Sequence, residues 1–219
     1  VYIVPTGIDV EKFYPENNKK VNIRDRRKEL NISEDDFVIL FVGRIASEKN
    51  LELLLSSMKS LIEVSSKIKL LVVGDGPEID EYREYCKRNK IDSNCIFAGK
   101  VPWDVIVGYY LMADCFATAS TTETQGLTVI EAMAAGLATV VIEDESFRDT
   151  VIDNLNGLVF KNRKEYKKAI ISLYKDRELL NRLSKQARMM ADVHSSKYFA
   201  EKILDVYKVA IKNNSKKKK

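Results

Sequence analysis

Residues 117–137 read Ala-Thr-Ala-Ser-Thr-Thr-Glu-Thr-Gln-Gly-Leu-Thr-Val-Ile-Glu-Ala-Met-Ala-Ala-Gly-Leu, and within them Glu123 and Glu131 stand eight positions apart. An ionised carboxylate accepts hydrogen bonds and donates none, so such a pair suits hydroxyl groups, which donate. Between the acids lie Thr124, Gln125 and Gly126, a small-residue turn that opens an apolar run. Leu127, Ile130 and Ala134 recur at helical spacing, which predicts a helix from Gly126 to Ala135 with Thr121 or Thr122 as its cap. The first N–H groups of a helix are unpaired and carry partial positive charge, so its start offers a place for a phosphate. The stretch reads as phosphate in the middle with a hydroxyl-bearing group on each flank. On spacing alone the better fit is two solvated acids near an ordinary helix start.

Three further loops carry residues of matching chemistry. Arg44 and Lys49 follow Gly43 at the end of an apolar strand. Arg supplies a rigid fork of donors and Lys a movable ammonium, a pair suited to a diphosphate. Two solvated cations are the plain alternative, although helix starts disfavour positive charge. Gly74-Asp75-Gly76-Pro77 lacks the third glycine and the later acid of a dinucleotide fingerprint, so it reads as a tight turn or a close approach of backbone to ligand. Lys100-Val101-Pro102 has backbone groups to offer to a base edge, or is a simple loop. Gly136 reads as a helix C-cap.

These loops need a scaffold that gathers them, and the chain alternates strands and helices. Strands are expected at 36–42, 69–73, 95–98, 115–118, 138–142 and 158–160. Helices are expected at about 24–30, from Leu51, and at 78–89, 103–112, 126–135, 146–151, 163–175, 178–192 and 196–212. Residues 1–15 read as a short strand, a turn at Pro5-Thr6-Gly7 and an irregular segment. The expected fold is α/β, a doubly wound, Rossmann-like parallel sheet with C-terminal helices. Ligands of such sheets bind beyond the carboxyl ends of the strands, where all four loops fall. The expected organisation is an entry segment at 1–15, a ligand-binding domain at 16–195, a C-terminal helix at 196–212 and a disordered basic tail at 213–219.

Composition narrows the function. With 219 residues, 45% hydrophobic and 31% charged, the chain is globular, and no apolar run approaches the roughly 20 residues of a membrane span. Cys86, Cys95 and Cys115 are odd in number and unpatterned, which suits reduced thiols in a cytoplasmic protein. The lone His194 supports neither a His-rich metal site nor a hydrolase triad. The net charge of +4 equals what Lys216–Lys219 supply by themselves. No nucleic-acid-binding signature accompanies it, and the tail suits either a solvated end or a place near anionic headgroups. No basic segment precedes Val1–Pro5, so no signal peptide is expected.

Taken together, the motifs resemble the C-terminal, nucleotide-sugar-binding half of GT-B glycosyltransferases, specifically the retaining family 4 enzymes. Val4-Pro5-Thr6-Gly7-Ile8-Asp9 with Phe13 is similar to the segment that opens this half, with Thr6 where Asn is usual. Phe41-Val42-Gly43-Arg44 with Glu48-Lys49-Asn50, Gly74–Pro77, Phe97-Ala98-Gly99, and Ser120 through Gly136 match four more motifs in order. Ala138 stands where the family usually has Pro, and Gln125 where it often has Phe; Glu123-Thr-Gln-Gly126 is similar to bacterial diacylglycerol glucosyltransferases.

The resemblance implies a hexosyltransferase using a nucleoside diphosphate sugar, UDP-glucose or a relative; no cofactor is expected, and with no Asp-x-Asp signature at a strand end no metal is expected either. It implies that Arg44 and Lys49 neutralise the diphosphate and that Glu123 holds the sugar hydroxyls, the three together forming the catalytic set. Backbone from Thr124 through Gln125 and Gly126 to Leu127 would hold phosphate and sugar, and Glu131 the ribose. Gly43, Gly74 and Gly76 would line the site, and Lys100 and Val101 would border the base. The implied partners are the donor, an acceptor lipid or glycan reached through a preceding N-terminal domain, and an anionic membrane surface. The expected location is cytoplasmic, peripheral to the membrane, and the chain alone is expected to bind donor but turn over little. A sugar-nucleotide epimerase, a pyridoxal-dependent phosphorylase and a non-catalytic nucleotide-sugar module remain as rivals.

Overall fold

A computed structural model of the chain describes Tyr2, Val4 and residues 6–217, with 213–217 described for their backbone alone. Its centre is β1 (Phe37–Val42), apolar at every position because both faces are covered. Successive side chains of a strand point to opposite faces. Phe37, Ile39 and Phe41 accordingly enter one core, while Val38 and Leu40 enter the other.

Around it lie β2 (Ile68–Val73), β3 (Cys95–Gly99), β4 (Cys115–Thr118), β5 (Ala138–Ile142) and β6 (Gly157–Phe160). All pairings are parallel, in the order β3-β2-β1-β4-β5-β6. Helices α1 (Ile23–Glu29), α2 (Leu51–Val64), α3 (Ile79–Arg88), α4 (Val107–Leu111), α5 (Leu127–Ala134), α6 (Arg163–Lys175), α7 (Arg177–Met190) and α8 (Ser196–Lys217) complete the chain. The apolar stripes of α2, α3 and α6 pack on the first core, and those of α4 and α5 on the second. This is the doubly wound α/β sheet that the strand–helix alternation predicts. The order reverses direction between β1 and β4, which opens a crevice at their carboxyl ends.

Several boundaries move, each for a local reason. The helix expected at 103–112 shrinks to α4, because 102–106 instead forms a tight turn with Val105 N–H bonded to Pro102 O at 3.2 Å. The helix expected near 146–151 is a 3-10 turn, Glu145–Phe147, held by Asp144, whose side chain accepts from Ser146 N–H. The helix expected to reach Asp192 stops at Met190 and tightens into the 3-10 turn Ala191–His194. α8 runs on to Lys217, taking in 213–217 of the stretch expected as a tail, whereas Lys218 and Lys219 lie outside the described residues.

Of the strand expected at the start, Val1, Ile3 and Pro5 lie outside the described residues, and Ile8 forms one parallel bridge with Ser195. Residues Val10–Phe13 make a 3-10 turn whose Val10 and Phe13 are each 1% exposed, so this entry segment belongs to the second core. Cys86, Cys95 and Cys115 are buried free thiols. Among the described residues, no helix is long and apolar enough to cross a membrane.

Candidate functional site

The loops that follow β1 and β4 face each other across the crevice, because those strands are neighbours in the sheet although remote in sequence. Lys49, at the end of the 3-10 turn Ser47–Lys49, donates from Nζ to Glu123 Oε1 at 2.6 Å. Both side chains are about four-fifths buried, at 19% and 23% exposure, so this pair is shielded from water more than surface ion pairs are. Thr122 Oγ1 donates to Glu48 O at 3.4 Å, a second clasp between the same loops.

Neither Thr121 nor Thr122 caps α5, contrary to the sequence expectation. The helix begins at Leu127, too far along for either, and its N-cap is Gly126 in the left-handed region at φ 58° with no side-chain cap bond. Among the described residues, the Leu127 and Thr128 N–H groups find no acceptor, and they are the donors that an anion at this helix start would meet. A Cβ on Gly126 would come within 2.7 Å of the Phe147 ring, so glycine is required there by space as well as by φ. At the other end Gly136 caps as expected, with φ 78° and bonds from Gly136 N–H to Met133 O and Leu137 N–H to Ala132 O.

Gly43, Arg44, Asp75, Gly76 and Lys100 line an open hollow of about 600 Å³ beyond β1, β2 and β3. Among the described residues, Arg44 is held only by Glu48 at 4.0 Å with its side chain 68% exposed, so its guanidinium is available to a ligand. Arg44 and Lys49 are therefore unlike in state: the first is open to solvent and the second is bound to Glu123. Gly74 and Gly76 owe their identity to the neighbouring loop, where an added Cβ would lie 1.8 Å from Gly43 O and 2.1 Å from Ile45 O. Bonds from Ile45 N–H to Asp75 O at 2.9 Å and from Glu78 N–H to Ile45 O at 3.3 Å zip the two loops together. A second hollow, of about 660 Å³, lies beyond β5 and β6. Its cations Arg148 and Lys161 are paired with Glu145 and Glu143, and Asp144 and Asp153 add further negative charge, which disfavours an anionic ligand.

Glu131 is 7% exposed, and Tyr110 O–H donates to its Oε2 at 2.6 Å. Burial pushes its carboxyl up from the ordinary 4.5 to about 6, while the Tyr110 bond and the Lys12 charge pull the other way. An acid with a raised folded pKa binds its proton more tightly in the native state, so its contribution to stability falls as pH rises from about 4.5 to 6 and stays lost above. The separation corresponds to about 2 kcal/mol. Glu131→Gln is therefore expected to raise stability near pH 7.5 by about 1–2 kcal/mol, with the gain shrinking toward pH 5. Urea unfolding of both proteins at the two pH values checks this, and equal destabilisation at both would refute it.

Of the predicted site residues, the crevice thus gathers Lys49 and Glu123, with the α5 start beside them, and the adjoining hollow gathers Gly43, Arg44, Gly76 and Lys100. Thr124 and Leu127 are exposed, Gln125 and Val101 half-buried, and Gly126 buried. Gly74 packs closely against Gly43 of the neighbouring loop. Sequence reasoning passed over Tyr110 and Asp75, since nothing in Gly-Tyr-Tyr or Gly-Asp-Gly marks which partner each will face.

A family model described as glycosyl transferases group 1 matches residues 22–190. The alpha-monoglucosyldiacylglycerol synthase of Acholeplasma laidlawii is 32% identical over 215 residues, covering 98% of this chain and 54% of that protein. The synthase of the same name from Streptococcus pneumoniae is 31% identical over 169 residues, covering 77% of this chain and 38% of that protein. Among solved structures, Anabaena HepE in complex with UDP and glucose superimposes with a TM-score of 0.82 at 19% identity, over 95% of this chain and 57% of that one. The chain spans about half the length of the first of these relatives.

Proposed function

The chain belongs to the group 1 glycosyl transferases, and from that premise we propose that it forms the donor-binding half of a hexosyltransferase that takes a nucleoside diphosphate sugar. The observation that carries this reading is the crevice between β1 and β4, where a shielded Lys–Glu pair lies beside an uncapped helix start, with an open arginine in the adjoining hollow. In this reading the diphosphate lies on the Leu127 and Thr128 N–H groups, with Arg44 and Lys49 neutralising the charge that builds on the leaving nucleotide. Glu123 accepts from hydroxyls of the transferred sugar, and the backbone at Thr124, Gln125 and Gly126 follows its outline. Glu131 accepts from the ribose, and Lys100 and Val101 border the base.

The favoured donor is UDP-glucose and the favoured acceptor the hydroxyl of a diacylglycerol, since two relatives are named for that glycolipid. Transfer with retention of configuration, no cofactor or metal, and a cytoplasmic protein working at the membrane surface complete the proposal.

Calorimetry with UDP and UDP-glucose tests it on the 219-residue chain. Wild type is expected to bind both, and Arg44→Ala and Glu131→Ala each to lose about tenfold or more, about 1.4 kcal/mol per decade. A wild type that binds no nucleotide, or two variants that bind as well as it does, would end this reading.

A further inference from the structure

We propose that Tyr110 is a positioning residue for Glu131: its buried hydroxyl fixes one carboxylate oxygen and leaves the other turned to a ligand hydroxyl. The inference rests on the reading that Glu131 meets the ribose, and adds to it a residue that touches no substrate.

The geometry sets the roles of the two oxygens apart. Oε2 takes the Tyr110 bond at 2.6 Å, within the short range of hydrogen bonds to an ionised acceptor. Oε1 receives no hydrogen bond from the described residues and is not sealed away from water. The Tyr110 ring cannot swing aside, since it is 0% exposed, stacked on Phe116 at 6.3 Å and met edge-on by Phe13 at 5.3 Å. Phe13 in turn meets Trp103 edge-on at 5.6 Å, so the entry segment and the loop after β3 wedge the phenol in place. A carboxylate on a helix has several rotamers, and a ligand must select the one that meets its hydroxyl. Fixing it beforehand removes that cost from binding.

Few other groups act on Glu131. On the segments packed against α5, the charge that reaches it is that of Lys12, whose Nζ donates to Trp103 O at 2.6 Å. Arg188 of α7 and Asp192 of the following turn are engaged with each other and with Glu16 and Tyr14. His194, in that same turn, is kept toward its neutral form by burial. Donation from Tyr110 favours the ionised carboxylate, so the phenol orients Glu131 and also keeps it charged at neutral pH.

The test is UDP affinity of the chain as a function of pH, measured by calorimetry. In wild type, affinity is expected to fall on the acid side with a midpoint near 6, where Glu131 takes its proton. In Tyr110→Phe the midpoint is expected to move alkaline by about one unit, with affinity at pH 6.5 down about threefold. A purely packing role for Tyr110 would leave the midpoint where it is, and that result would overturn the proposal. Should the variant fail to fold, 3-fluorotyrosine at position 110 keeps the shape and strengthens the donor. The midpoint should then move acid, and an unmoved one would equally sink the idea. Glu131→Gln separates the two levels of inference. If it binds UDP as wild type does, the ribose reading itself is wrong; if it binds weakly while both Tyr110 changes leave the midpoint alone, only the positioning role is lost.

Discussion

Gly74→Ala is expected to unfold the chain or to lower its stability by more than about 4 kcal/mol, a loss seen only where backbone or core cannot yield. Gly74 has φ 144°, a region that side chains rarely adopt, and its added Cβ would stand 1.8 Å from Gly43 O. The obstructing atom is backbone at the end of β1, joined to β2 by the bond from Gly43 N–H to Val73 O at 3.0 Å, so it has nowhere to go. Gly99→Ala is the matched control. That residue also has a positive φ, 72°, but a Cβ there meets nothing within 4 Å. Its cost should be the conformational strain alone, about 1–2 kcal/mol. Thermal or urea unfolding of the two variants decides the matter, and similar losses for both would show that φ, not the loop contact, sets the penalty.

The second large effect concerns the ion pair across the crevice. Lys49→Ala is expected to weaken UDP binding on the order of 10- to 100-fold, since hydrogen bonds to charged groups contribute about 1.5–3 kcal/mol. Glu123→Gln should act in the opposite sense on UDP. In the ligand-free structure Glu123 Oε1 holds Lys49 at 2.6 Å, so a diphosphate must take the ammonium from a competing anion. With a neutral amide in place the competition weakens, and UDP affinity should rise about threefold, about 0.7 kcal/mol. The same change replaces the ionised acceptor proposed for the sugar with a neutral amide that accepts through one oxygen, so UDP-glucose should lose part of its advantage over UDP. Calorimetry with both ligands reads the two effects separately. Equal weakening of both by Glu123→Gln would mean that Glu123 does not compete for Lys49, and that the exchange of partners does not occur.

The elements were legible in the chain because their signals are local. Phe37–Val42 is apolar throughout, and Leu51, Leu54, Leu55 and Met58 recur at helical spacing. Short loops between such elements leave parallel pairing as the way to bury both faces of the sheet. Cap positions near the site were less legible, as Thr122 shows: it had the right chemistry for a helix start but was drawn to Glu48 O on the opposite loop.

The sequence by itself determined the strands and most of the helices, the parallel sheet, the gathering of the βα loops at one end, and the family through motifs in order. Periodicity and turn chemistry are properties of neighbours along the chain, and so they survive without coordinates. Only the tertiary structure decided who faces whom. Lys49 meets Glu123 across 74 positions because β4 pairs with β1, and Tyr110 meets Glu131 because α4 and α5 share the second core. Those encounters set which cation is free, which glycine is obligatory and which carboxylate is held above its ordinary pKa, since each depends on distance and burial rather than on residue order.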